Sequence, residues 1–323
     1  MVEIPATTKL VLPSAIGENH QLMAKAAVVA AIFAVDTIWI LGSDFQFHMQ
    51  SMLTVIGITV VLAAVAWFYR TKRPMERFEV LCSETAILLA FSAAAAVLSL
   101  LMTSLDMPLI DDKLIAADAA LGFDWLAYVG FVNERPWLGA LSSAVYVTSL
   151  SQVALTVVVL GLMGRSERVQ RFVLAVMLGA LICIAISAVL PAAGALATIR
   201  PPVEFVTKNQ PIVDLDYKQA FFDLRSGAAR FISLDEPRGV IAFPSYHATL
   251  SALIVLAFFR VRGWFWPLFA LNFAVVLATP IDGGHHLVDA LGGIVVAFVA
   301  WGLAQKFLVA RRVAFARGGD TGR

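Results

Sequence analysis

The sequence predicts an all-α fold, a polytopic membrane helix bundle of about eight spans, and three observations carry that prediction. Hydrophobic residues make up 60% of the chain and mean hydropathy is +0.83, beyond the roughly 45–50% apolar content of soluble domains. Apolar runs of about 20 residues, the length that crosses a bilayer as a helix, recur along the chain. No period-two alternation suggests a barrel, so helices are the economical way to satisfy the backbone in lipid.

Taken in order, the spans fall at 22–41, 52–68, 80–102, 138–163, 172–192, 241–259, 264–278 and 286–308. The first twenty residues are polar and acidic and do not read as a signal peptide. Net charge is +1, but its layout is asymmetric. Arg70, Lys72, Arg73 and Arg77 follow the second span; Arg165, Arg168 and Arg171 follow the fourth; Arg260 and Arg262 follow the sixth. Lys306, Arg311, Arg312 and Arg317 close the chain, whereas loops 42–51 and 279–284 carry no Lys or Arg. The positive-inside rule then predicts both termini in the cytoplasm of a protein of the cell (inner) membrane. The division expected is 1–77 with two extra N-terminal spans, 78–310 as a six-span core, and 311–323 as a basic cytoplasmic tail. Cys82 and Cys183 lie in apolar runs and read as small hydrophobes. No basic run is interleaved with aromatics, which excludes nucleic acid as a partner; oligomeric state is not legible.

Two outer segments are long. Segment 104–137 scatters Asp106, Asp111, Asp112, Asp118 and Asp124 among large hydrophobics, the pattern of an amphipathic helix lying on the outer membrane surface. Segment 193–240 is the longest polar stretch, and a loop of that length is usually functional or mobile.

That loop leads into Ser245-Tyr246-His247 at the start of the sixth span, and the eighth opens on His285-His286-Leu287-Val288-Asp289. Both spans run inward from the same face, so His247 and His285 are expected at that face, in the first turns of two helices. Helix N-termini offer unpaired N–H groups that attract phosphate and disfavour imidazolium. Asp289, four residues after His285, can accept from its far ring nitrogen and fix the tautomer. Gly283 and Gly284 would let the backbone approach a ligand, and Asp282 reads as an N-cap. His286, which has no carboxylate four residues on, reads as a headgroup or packing contact. A metal held by His285, His286 and Asp289 is disfavoured, because adjacent histidines on a helix point in different directions. His20 and His48 read as interfacial.

Phe243-Pro244-Ser245-Tyr246-His247, followed about forty residues later by Gly284-His285-His286-Leu287-Val288-Asp289-Ala290-Leu291-Gly292-Gly293, resembles the type 2 phosphatidic acid phosphatase superfamily. It looks closest to the inositol phosphorylceramide synthase, or aureobasidin-resistance, branch. The similarity covers roughly 80–308. It implies a lipid phosphate or phospholipid substrate among membrane lipids, no cofactor and no metal. By the same resemblance His285 attacks phosphorus to form a phosphohistidine, and Asp289 orients it. His247 protonates the departing oxygen and then deprotonates the acceptor, water or an alcohol. Lys218, Arg225, Ser245 and Arg200 are the implied phosphate-binding residues.

The chain departs from the family pattern in places. Lys218 and Arg225 keep the first motif's spacing, but Ser226 stands for its proline; Arg200-Pro201 keeps the pair, but Ala193 stands for its lysine. Ala278 and Thr279 replace a Ser-Arg pair, so Arg200, Arg225, Arg230 or Arg238 must supply the missing cation, and Tyr246 replaces a glycine. The competing class is a lipid-binding or transport protein, which would need polar residues deep in several spans; here they are sparse.

Overall fold

The computed structural model describes residues 13–202, 208, 211–234 and 240–318, with side chains described from 21 to 309. His20, Arg238 and the basic tail's side chains therefore lie outside the described residues. The elements run α1 Pro13–Leu41, β1 Gln46–Phe47, α2 Met49–Thr71, α3 Glu76–Thr103, α4 Asp111–Ala120, α5 Trp125–Asn133, α6 Pro136–Leu162 and α7 Ser166–Val189. They continue α8 Ala195–Ile199, α9 Leu215–Ser226, β2 Phe231–Ile232, α10 Tyr246–Ala257, α11 Phe265–Asp282 and α12 Leu287–Gly318.

The chain is an all-α polytopic bundle. Among the described residues, seven helices are long and apolar enough to cross a membrane: α2, α3, α6, α7 and α11, the Gln21–Leu41 part of α1 and the Leu287–Val309 part of α12. The sixth predicted span differs. It is the 12-residue α10, about 18 Å long at 1.5 Å per residue and short of a full crossing. It is packed against α6, α7, α11 and α12. A helix enclosed by protein on these sides has no lipid thickness to match, which is why hydropathy alone overstates its length.

The core forms where α3, α6, α7, α10 and α12 meet, around Phe91, Leu160, Phe172, Leu253, Ile254 and Ala297. Small residues bring backbones close, as membrane packing requires. Thr249 of α10 donates to the Gly293 carbonyl of α12 at 2.9 Å, and a methyl on Gly293 would run into the Ser245 carbonyl oxygen. Gly293→Val should therefore push α12 off α10 and cost at least about 2 kcal/mol, the scale of overpacking a rigid contact. A lowered unfolding midpoint in detergent, with activity falling alongside, is the expected result.

Away from the candidate site the charged loops converge. Arg168 donates to the Ala257 and Phe259 carbonyls at 2.9 Å each, satisfying the C-terminus of α10. Arg171 donates to Gln305 at 2.7 Å and lies over the Trp301 ring. The two extra spans pack on α3, where Lys25 of α1 makes a buried ion pair with Glu84. Their connecting loop forms a two-residue parallel ladder, Gln46 with Phe231 and Phe47 with Ile232, joining the N-terminal hairpin to the long polar segment.

The 104–137 segment is not one surface helix. It forms α4 and α5, bent by 76°, and Asp111 and Asp118 are buried. The amphipathic pattern was legible, but while Asp106, Asp112 and Asp124 are exposed, Asp111 and Asp118 meet buried backbone rather than water. Trp125 and Tyr128 of α5 donate to the Pro280 and Leu277 carbonyls of α11 at 2.9 and 2.8 Å, which fixes the end of α11 that enters the site.

Candidate active site

After α11 the chain turns sharply. The Thr279 carbonyl accepts from the Gly283 and His285 N–H groups at 3.1 and 3.3 Å, throwing the next residues across the end of the bundle. Gly284 has φ +61, and a Cβ there would lie 2.8 Å from Leu196 Cβ and 3.3 Å from Lys218 Cε. The glycine pair thus makes room for protein neighbours, not for a ligand as expected. Asp282 is not an N-cap either: it ends α11, where Ser142 and Ser143 of α6 donate to its carboxylate.

His285 and His286 precede α12 rather than lying in its first turn. His285 Nδ1 is 3.2 Å from Asp289 Oδ2, and Nε2 is 3.2 Å from Ser245 Oγ. An ionised Asp289 puts the proton on Nδ1 and leaves the Nε2 lone pair facing Ser245. Asp289 Oδ2 also accepts the His286 N–H at 2.9 Å, the returning half of a capping box. The same short segment therefore closes the helix end and orients the ring.

Ser245 caps α10, accepting from Ala248 N–H, and its own N–H donates to the Asp289 carbonyl at 2.9 Å. Its hydroxyl therefore both caps the helix and faces His285. His247, one residue into α10, stacks on Tyr146 of α6 with ring centroids 4.6 Å apart. Tyr146 Oη lies 3.3 Å from His247 Nδ1 and against Gly283, where a Cβ would come within 2.9 Å of it. A donating tyrosine makes Nδ1 the acceptor and leaves the proton on Nε2.

Lys218 on α9 is buried, 9% exposed. Its Nζ would lie 3.1 Å from a Cβ on Gly194, and it interacts electrostatically with Asp289 and Asp111. Burial pulls its ammonium down to about 8, against the upward pull of those two carboxylates. Arg225 does not join it. Two helical turns carry it roughly 10 Å along α9, where it pairs with Asp106 at 2.7 Å and donates to the Met107 carbonyl at 2.6 Å. Arg200 is exposed at the left-handed C-cap of α8, and Arg230 lies over the Phe45 ring. Of the sequence-predicted residues, His285, Asp289, Ser245, His247 and Lys218 come together; Arg225 and Arg200 do not.

Sequence reasoning missed two carboxylates. Asp118 accepts from the Leu287 and Val288 N–H groups at 3.0 and 2.9 Å, so the α12 N-terminus expected to attract phosphate is already occupied by an aspartate. Asp111 accepts from the Ala193 and Gly194 N–H groups at 2.9 and 2.8 Å. The available signal was their spacing, seven residues apart on one helix face. Tyr146 was missed as well; nothing local in its sequence marks it.

These features define a polytopic membrane protein with a buried histidine–aspartate–lysine site. The chain belongs to the PAP2 superfamily, whose model matches residues 112–303, and this membership makes it a phosphatase-type enzyme of lipid phosphates. The match takes in His285, Asp289, Ser245, His247, Lys218 and Asp118, begins one residue after Asp111, and leaves α1 to α3 outside it. No curated protein and no solved structure matches the chain.

Proposed function

We propose that the protein takes a phosphoryl or phospho-headgroup from a membrane lipid onto His285 and passes it to a hydroxyl. The observation that carries this reading is the connected set Asp289, His285 and Ser245, with nitrogen–oxygen distances of 3.2 Å on both sides of the imidazole. Nε2 of His285 attacks phosphorus and the P–O bond to the lipid alcohol breaks, while His247, entering this step as an imidazolium with Nδ1–H turned to Tyr146 Oη, gives its Nε2 proton to the departing oxygen and becomes neutral. His247 then takes the proton of the incoming hydroxyl as that oxygen attacks phosphorus and the P–N bond breaks. A positioned acid–base group contributes about 10²–10⁴ in rate. Lys218 holds the phosphoryl oxygens, a contribution largest in a site shielded from water.

The charge layout supports a periplasmic or outer-face site with cytoplasmic termini: loops 42–51 and 279–284, on the site's side, hold no Lys or Arg. It also supports the division into 1–77, a core over 78–310 and a basic tail. Tyr246, and Ala278-Thr279 in place of Ser-Arg, favour an alcohol acceptor, as in the inositol phosphorylceramide synthase branch. The deciding experiment incubates purified protein with a panel of lipid phosphates and phospholipids, with and without inositol, glycerol or ceramide, and resolves the products. A new phospholipid supports the transferase; free phosphate alone supports the phosphatase; neither product sinks the reading.

Lys218→Ala should raise KM by roughly 10- to 100-fold, the loss of one charge-assisted contact. In the wild type KM should climb as pH rises through about 8, where Lys218 loses its proton. Lys218→Arg should move that rise to higher pH, which initial-rate kinetics across pH would show.

A further inference from the structure

We propose that His286 is a positioning residue, an imidazolium held between Asp111 and Asp118 that locks the His285 loop against α4 and the 193–194 turn. The inference rests on the reading above that His285 is the nucleophile. His286 is fully buried, and its neighbouring residue is the one whose ring must be aimed. Nε2 lies 3.5 Å from Asp111 and Nδ1 3.4 Å from Asp118. At these lengths Nε2 makes a long, poorly aligned contact with Asp111, and the attraction to both carboxylates is mainly that of opposite charges.

Each carboxylate holds a different piece of backbone. Asp111 ties down Ala193 and Gly194, and Gly194 packs on Gly284 and Lys218. Asp118 ties down Leu287 and Val288 at the head of α12. One cation between them joins both pieces through the residue that follows His285.

Charge balance requires that cation. Asp111, Asp118 and Asp289 are 3%, 4% and 0% exposed, and buried carboxylates are costly unless compensated. Lys218 from α9 faces Asp111 and Asp289 but has no described contact with Asp118. At the N-cap of α5, Asp124 adds another acid on a cavity of about 440 Å³ between α4 and α5, lined also by Asp118 and His286. Burial alone would lower the His286 pKa, but Asp111, Asp289 and Asp118 outweigh it and raise it above the ordinary histidine value.

His286→Gln keeps the volume and removes the charge. The expected result is a kcat lowered roughly 10- to 100-fold, the scale of small misplacements of reacting groups, with KM within about twofold of wild type. The alkaline fall in kcat that His286 deprotonation causes in the wild type should vanish in the variant. A readout independent of catalysis is the gap in melting temperature between wild type and variant. A raised histidine pKa stabilises the fold at pH below its unfolded value and loses that contribution as pH climbs through the folded value. The gap should therefore be widest at low pH and close at high pH.

A His286→Gln enzyme with wild-type kcat and pH profile, or a gap independent of pH, overturns the proposal. If that variant does not fold, Asp111→Asn serves instead: the alkaline limb of kcat should move to lower pH, and an unmoved limb overturns the proposal. Should the wild type transfer phosphate from no lipid, the functional reading fails, while the pH dependence of the melting gap still decides the clamp.

Discussion

His285→Ala is expected to abolish transfer from lipid phosphates, a fall of roughly 10⁴–10⁶-fold in kcat, as when the nucleophile of a cooperating catalytic set is removed. The fold should survive. His285 lies outside α12, Asp289 Oδ2 keeps the His286 N–H at 2.9 Å, and Asp118 still holds the next two amides. Lipid-phosphate turnover measured beside thermal melting separates the two consequences. Wild-type turnover in the variant excludes His285 as nucleophile, whereas a collapse of melting temperature would make the ring structural.

Asp289→Asn should cost roughly 10²–10⁴-fold in kcat, the scale seen when an orienting carboxylate becomes an amide. The change isolates charge from shape. A single oxygen, Oδ2, faces both His285 Nδ1 and the His286 N–H, and an asparagine carbonyl can occupy that position. What disappears is the negative charge that stabilises an imidazolium and supports Lys218. Asp289 is the first of the two carboxylates that raise the Lys218 pKa against its burial. The rise of KM with pH should accordingly begin below about 8 in this variant. Asp289→Ala should cost more, because it also leaves the His286 N–H without its acceptor. A pH series of kcat and KM on both variants checks the pair of effects.

The site was legible in the sequence where its contacts are short-range or carried by paired motifs. His285 and Asp289 are four residues apart, and the turn that caps α12 pairs them although His285 lies just outside the helix. His247 and Ser245 could be placed beside them because both segments open spans that run the same way. Lys218 followed from a spacing, but the same spacing misplaced Arg225, since residues two turns apart share a face without reaching the same depth. Asp111 and Asp118 were visible only as the polar face of a helix, and such a pattern does not say whether that face meets water or orphaned amides. Asp282 failed as an N-cap for a similar reason: the helix it belongs to lies before it, and its partners, Ser142 and Ser143, are distant in sequence. Seven of the eight predicted spans appear as long apolar helices. The sixth, α10, is shorter because neighbouring helices enclose it, and no residue count reveals enclosure.

The mechanism turns on a phosphorus–nitrogen bond to His285, and that bond can be trapped. Purified protein, rapidly quenched in alkali during turnover of a lipid labelled at phosphorus, should carry label on the peptide containing residue 285. The label should be acid-labile and alkali-stable, as a phosphoramidate is, and absent from His285→Ala. Turnover without labelled protein, or label that persists in the alanine variant, would contradict the account.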